Sequence, residues 1–248
     1  MRPFLLLGTR AEEAAADDEY AAFLRFSGLD EYSLRRVQLD REPLGRVRLD
    51  DWSGIMLGGG PFNASDPVDA KSATQHRVER ELAALLDAVV ARDFPFLGAC
   101  YGIGTLGVHQ GAVVDRTYAE PVGRVTVTLT RAGREDPLLG GLPQVFDAFG
   151  GHKEAVAVLP PHAVNLASSP GCPVQAFRVR TNVYATQFHP ELDVDGICTR
   201  IEVYKHAGYF APEEAEALKK LARDSVVVHP PRLLERFVER YGDRAGRS

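Results

Sequence analysis

Phe96-Leu97-Gly98-Ala99-Cys100-Tyr101-Gly102 places a cysteine at the end of a short apolar run, with glycine two residues to either side. Pro95 to Leu97 reads as a buried strand, so the cysteine falls where strand gives way to helix. A nucleophile on so sharp a turn has a strained backbone and close neighbours, and only glycine fits comfortably at its flanks. Its side chain then sits at a helix N-terminus, a position that favours an anion. The competing interpretation is a small buried cysteine beside turn glycines. A second pattern overlaps the first: Gly102-Ile103-Gly104-Thr105-Leu106-Gly107 matches the G-x-G-x-x-G turn of dinucleotide-binding units. That turn needs a long crossover helix, which Gly111 cuts short, and an acidic residue about 20 positions on, where an alternating Val/Thr stretch stands instead. No cofactor is therefore expected.

Working outward, the same strand-then-helix rhythm recurs. Leu5 to Leu7 before Gly8 reads as a strand, and Ala14 to Phe26, with Tyr20, Phe23 and Leu24 on one side, as a helix. Ile55 to Leu57 is a short apolar run ended by Gly58, Gly59 and Gly60. Glu79 to Ala91 sets Leu82, Leu85, Leu86, Val89 and Val90 at helical spacing. Such alternation predicts a parallel sheet with helices on its faces and a site at the carboxyl ends of its strands. The second half changes character. Val125, Val127 and Leu129 alternate with threonines, the period of a half-buried strand, and Val145–Phe149, Ala155–Leu159, Val174–Val179 and Val183–Phe188 add further strands. Helical patterns return after Asp193, which with Asp195 caps or begins a helix. The last pattern opens at Pro231 and has Leu233, Leu234, Phe237 and Val238 on one face. The turn-rich piece from Gly58 to Pro67 is the best candidate for a functional loop.

Composition narrows the partners. A formal charge of −5 over 248 residues supplies no basic field for nucleic acid. The apolar run at Phe4 to Leu7 is far below the roughly 18 residues that span a bilayer, so no membrane partner and a cytoplasmic location are expected. Three cysteines, widely spaced, imply no disulfide framework. Cys172 and Cys198 read as packing residues. His76, His109, His162, His206 and His229 lack metal-ligand spacing, so no metal site is expected.

Thr186-Gln187-Phe188-His189-Pro190-Glu191 follows another predicted strand. Proline disfavours the helical region for the residue before it, and in an extended chain residues i and i+2 point the same way. His189 and Glu191 can thus face one another as a base and the carboxylate that orients it. The alternative is a turn histidine beside a surface glutamate.

Taken together, these segments resemble the class I glutamine amidotransferases, the family of the glutaminase domains of GMP synthetase, carbamoyl phosphate synthetase and anthranilate synthase. Leu57-Gly58-Gly59-Gly60-Pro61 resembles the family's oxyanion loop, Gly98 to Gly102 its cysteine elbow, and Phe188-His189-Pro190-Glu191 its F-H-P-E signature. Phe149-Gly150-Gly151-His152-Lys153-Glu154 resembles the S-H-G-D strand end of GMP-synthetase-like members. The resemblance covers residues 1 to about 207. It implies a flavodoxin-like, doubly wound, mostly parallel α/β sheet with a partly antiparallel extension and C-terminal helices, in one domain over 1–248 with a helical extension from about 208. It also implies Cys100, His189 and Glu191 as a catalytic triad, the backbone N–H groups of Gly60 and Tyr101 as oxyanion hole, and Gly59, Gly151, His152 and Lys153 around the substrate. Two departures stand out: Gly104 occupies the place of a glutamine that contacts substrate in many members, and Lys153 replaces a usual glycine. The expected activity is hydrolysis of L-glutamine with ammonia passed to a separate synthetase or acceptor subunit, because the stretch after Glu191 is shorter than a synthetase domain of about 100–200 residues. A γ-glutamyl hydrolase or transferase acting on γ-glutamyl compounds, and a non-catalytic regulatory module, remain the alternatives.

Overall fold

Three consecutive leucines can all be buried only if a strand is covered on both faces. In the computed structural model, which describes residues 2–242, they lie in β1 (Phe4–Gly8), where every residue is buried. Phe4 and Leu6 enter one core and Leu5 and Leu7 another, as the two-residue period of a strand requires. The elements that follow are α1 (Glu13–Ser27), β2 (Leu34–Gln38), β3 (Ile55–Leu57), α2 (Ala73–Ala91), β4 (Phe96–Ala99) and α3 (Tyr101–His109). The second half adds β5 (Val113–Asp115), β6 (Glu120–Leu129), α4 (Arg131–Glu135), β7 (Val145–His152) and β8 (Ala155–Val158). It continues with β9 (Ala163–Ser168), β10 (Ala176–Val179), β11 (Val183–Thr186), α5 (Val194–Val203), α6 (Ala215–Arg223) and α7 (Arg232–Tyr241).

Among the described residues, nine strands form one sheet in the order β2-β1-β3-β4-β11-β10-β9-β6-β7. The first five run parallel, and β10, β9, β6 and β7 continue the sheet antiparallel. This is the mostly parallel, doubly wound sheet with an antiparallel extension that the family resemblance implies, and its parallel half is what the alternating pattern predicts. β2 pairs on one side of β1 and β3 on the other, so the winding reverses at the carboxyl end of β1, where open α/β sheets form their ligand crevices. On one face α1 and α7 bury Phe23, Leu233, Leu234 and Phe237. On the other, α2 and α3 bury Val78, Leu82, Leu86 and Leu106.

Several details differ from the expectation. Helix α2 begins at Ala73 rather than Glu79, because Ser72 caps it, its Oγ accepting from Gln75 N at 3.1 Å, while its polar first turns hide the apolar period. Ala155–Val158 is a strand, but it leaves the main sheet to pair with β5. Strands β2, β5 and β9 lie outside the predicted set: their inward residues are few, and Arg35 and Arg36 interrupt the apolar signal of β2. Helices α6 and α7 occupy the expected C-terminal extension, whose residues 243–248 lie outside the described ones. Far from hanging free, α7 completes the core: Phe237 stacks on Phe4 at 6.0 Å between centroids, and Tyr241 Oη donates to Asn182 Oδ1 at 2.9 Å.

Helix α5 is capped as the sequence suggests. Asp193 Oδ1 accepts from Gly196 N at 2.8 Å. Asp193→Ala is expected to lower stability by about 0.5–2 kcal/mol, read as a lower urea midpoint at unchanged slope; an unchanged midpoint would remove the cap from the account.

Candidate active site

Cys100 occupies the step between β4 and α3 with φ 51° and ψ −93°, a backbone region that non-glycine residues rarely enter and that stores about 1–3 kcal/mol. The turn is tight enough that a Cβ on Gly98 would lie 2.9 Å from Gly102 Cα, which explains Gly98, whereas a Cβ on Gly102 would meet only Leu57, at 3.5 Å and beyond. Cys100 N donates to Thr186 O at 2.8 Å, tying the elbow to β11.

β4 and β11 are parallel neighbours with Ala99 opposite Thr186. His189, just past the end of β11, therefore emerges beside Cys100, held by its N–H donating to Phe149 O at 3.0 Å. The imidazole and the thiol line the same cleft, close enough that Cys100 raises the pKa of the ring. On its other side His189 Nδ1 donates to Glu191 Oε1 at 2.7 Å, which leaves Nε2 for the sulfur. Both residues are buried. Burial disfavours a charged imidazole, but Glu191 and then Cys100 outweigh it and raise the His189 pKa above its ordinary value. Burial likewise opposes ionisation of Glu191, yet His189 and Arg200 hold its carboxyl well below the usual carboxylate range.

Arg200, on α5, is absent from the sequence-derived site. Its Nη2 donates to Glu191 Oε1 at 2.9 Å and to Glu19 Oε1 at 3.2 Å, and its Nη1 lies 2.9 Å from His189 Nδ1. Arg10 joins the same array through Nε, donating to Glu19 Oε1 at 2.9 Å, and Nη1, donating to Tyr204 Oη at 3.1 Å. The sequence does carry signals for both. Arg10 follows directly on β1, at the carboxyl edge where sites form, and Arg200 sits between Ile197 and Ile201 on the buried face of a helix, an uncommon place for a charge.

The cleft above these groups is lined by Arg10, Gly60, Cys100, Gly151, His189 and Tyr209, among others. Gly59 lies against its floor, where an added Cβ would stand 2.6 Å from His189 Cε1, 2.8 Å from Arg10 Nη2 and 3.4 Å from Cys100 Cβ. Tyr101 contributes the first turn of α3, while its ring is buried against Phe62 at 5.8 Å. His152 and Lys153 are not among the lining residues. His152 Nδ1 donates to Glu154 O at 2.8 Å and its Nε2 pairs with Glu120 at 3.0 Å. Lys153 Nζ donates to Ala207 O at 3.0 Å and sits 4.1 Å from the centre of the Tyr209 ring, fastening the segment that brings Tyr209 to the cleft. Position 104 faces away as well. A Cβ there would lie 2.5 Å from Glu154 Oε1, and Glu154 accepts from Ala64 N and Ser65 N at 2.8 and 2.7 Å, so the functional loop is anchored where the family's glutamine would project.

A second Cys/His/Glu group lies elsewhere. The ligand atoms of Glu120, His152 and Cys172 fall within 4.8 Å of one another, but Glu120 also accepts from Ser169 Oγ at 2.7 Å and from Gln175 Nε2. Burial pushes the Cys172 thiol up to about 11, so this sulfur stays protonated and serves packing.

The elbow, the glycine loop and the histidine strand end, set on this sheet, define an amidotransferase architecture, and the class-I glutamine amidotransferase family model matches residues 30–195. The chain belongs to that family. Among its relatives are two glutamine-hydrolysing subunits of GMP synthase, one from Thermoplasma acidophilum, 30% identical over 146 residues, and one from Methanocaldococcus jannaschii, 31% identical over 140 residues. These matches cover 58% and 56% of this chain, and the chain spans about two thirds of each relative, 66% and 64%. A glutamine amidotransferase structure from Thermotoga maritima superposes with TM-score 0.77 at 22% identity over 98% of this chain and 99% of that one. One from Methylobacillus flagellatus gives 0.69 at 18% over 97% and 94%. None of the helices among the described residues is long and apolar enough to cross a membrane.

Proposed function

We propose that the protein is a cytoplasmic single-domain glutaminase that hydrolyses the side-chain amide of L-glutamine and hands ammonia to a separate synthetase or acceptor subunit. In this reading His189 draws the proton from Cys100, and the sulfur attacks the amide carbon. The backbone N–H groups of Gly60 and Tyr101 receive the oxyanion, each donor being worth roughly 3 kcal/mol in comparable sites. His189 then gives its proton to the departing ammonia, and water hydrolyses the γ-glutamyl thioester with the same imidazole as base. Glu191 fixes the tautomer and balances the imidazolium. The observation that carries the proposal is the convergence on one cleft of a thiol on a strained turn and an imidazole, with a buried carboxylate 2.7 Å behind the ring.

Incubated with L-glutamine, the protein is expected to release ammonia and glutamate in equal amounts, and a thiol-reactive glutamine analogue is expected to add its mass to the peptide holding Cys100. Absence of both the turnover and the label defeats the proposal. A γ-glutamyl hydrolase is the second reading, supported by the anchored wall at Gly104 that departs from the family's glutamine contact. Faster turnover of γ-glutamyl peptides than of glutamine decides for it.

A further inference from the structure

Arg10 is 4% exposed, and two of its three guanidinium nitrogens are committed, Nε to Glu19 and Nη1 to Tyr204. Nη2 has no hydrogen-bond partner among the described residues. Arg10 lines the cleft, and this nitrogen lies 2.8 Å from the place where a Gly59 side chain would begin; Cys100 Cβ lies 3.4 Å from that same place. A buried guanidinium with an idle N–H pair beside a nucleophile is an unmet demand for an anion, because such donors gain most from charged acceptors.

The surrounding charges point the same way. Arg10, His189 and Arg200 all line the cleft, and among the described residues no aspartate or glutamate does. Glu19 Oε1 is divided between Arg10 and Arg200, and Glu191 Oε1 between His189 and Arg200. The cleft offers no acidic side chain to an ammonium group.

We propose that Arg10 is a substrate-binding residue whose Nη2 receives a carboxylate oxygen of the substrate, making the cleft selective for amides that carry a carboxylate. The amide in that statement rests on the hydrolase reading above; the preference for an anion does not.

The test compares two alkylating agents of similar size at Cys100, anionic iodoacetate and neutral iodoacetamide, followed by mass spectrometry of the Cys100 peptide. Relative to free 2-mercaptoethanol in the same buffer, the iodoacetate-to-iodoacetamide rate ratio is expected to rise about 10-fold or more in the wild-type protein. Arg10→Met returns it to within about 2-fold of the free thiol, and Arg10→Lys, which keeps the cation, retains part of the bias. Circular dichroism identifies variants that keep the fold; if Arg10→Met does not, the wild-type ratio decides alone. A wild-type ratio no higher than that of the free thiol overturns the proposal, as does an unchanged ratio in a folded Arg10→Met protein. In parallel, kcat/KM for L-glutamine is expected to exceed that for L-glutaminamide, its carboxylate-free analogue, by about 10-fold or more, and Arg10→Lys is expected to raise KM for glutamine more than it lowers kcat. Equal turnover of the two amides with no alkylation bias removes the carboxylate site and leaves the hydrolase standing. A strong alkylation bias without turnover does the reverse.

Discussion

Replacing Cys100 by alanine is expected to lower ammonia release from glutamine by on the order of 10⁴-fold or more, because removal of a covalent nucleophile leaves only what binding and the oxyanion donors contribute. No other thiol can substitute. Cys172 is buried with its pKa pushed up to about 11, and Cys198 is also raised, chiefly by burial. The fold should survive the change. Cys100 is only half-buried, alanine removes one sulfur atom, and the backbone at φ 51° is no harder for alanine than for cysteine. A coupled ammonia assay beside a thermal melt checks both halves. Activity within an order of magnitude of wild type, in a protein that melts normally, would remove Cys100 from the mechanism.

Glu191→Ala is expected to be costly twice over. Oε1 accepts from His189 at 2.7 Å and from Arg200 at 2.9 Å in a fully buried site. Its loss leaves Arg200 sharing a single carboxylate, Glu19 at 3.2 Å, with Arg10, an incompletely paired buried charge, so that destabilisation of up to about 3–5 kcal/mol is expected. Turnover should fall by roughly 10³–10⁴-fold as the ring loses its orienting acceptor. The pH dependence has a definite sign. The carboxyl of Glu191 is depressed in the folded protein, so its contribution is present above its unfolded value near pH 4.3 and is lost as pH falls through the folded one; the variant lacks it at neutral pH. His189 is raised, so its protonation contributes stability below its unfolded value near pH 6.5, lost as pH climbs through the folded value. Without Glu191 the strongest influence raising it disappears, and the acid limb of any residual activity, set by protonation of the base, moves to lower pH. Glu191→Gln keeps an acceptor oxygen and should fall between. Denaturant titration at neutral pH and a pH–rate profile measure these effects; an unshifted acid limb in Glu191→Ala contradicts the assignment.

The parts of this protein that could be read from residue order are those where local chemistry and global geometry demand the same residues. Gly98 is needed by the elbow itself, and the proline after His189 fixes an extended backbone wherever it occurs. The all-buried β1 announced two covered faces. What remained hidden depends on three-dimensional neighbours. Arg10, Glu19 and Arg200 are distant in sequence and meet only after α1 and α5 dock beside each other, so nothing in their spacing links them. Glu154 looks like part of a substrate strand, yet it holds the backbone of Ala64 and Ser65. His152 and Lys153, expected around the substrate, turn respectively to Glu120 and to the Tyr209 segment, because β7 presents successive side chains to opposite sides.

The single hydrogen bond from Cys100 N to Thr186 O sets the gap between sulfur and ring by adjacent rungs of the β4–β11 ladder. Apart from the elbow itself and Phe149, whose carbonyl holds His189 N at 3.0 Å, the residues that separate those strands along the chain supply none of that spacing. They can be lengthened, shortened or rebuilt, as an antiparallel annex or anything else that returns β11 to its slot, with no need to re-evolve the chemistry. Diversification of such a scaffold is therefore modular: new walls and docking faces can be grafted between two fixed posts.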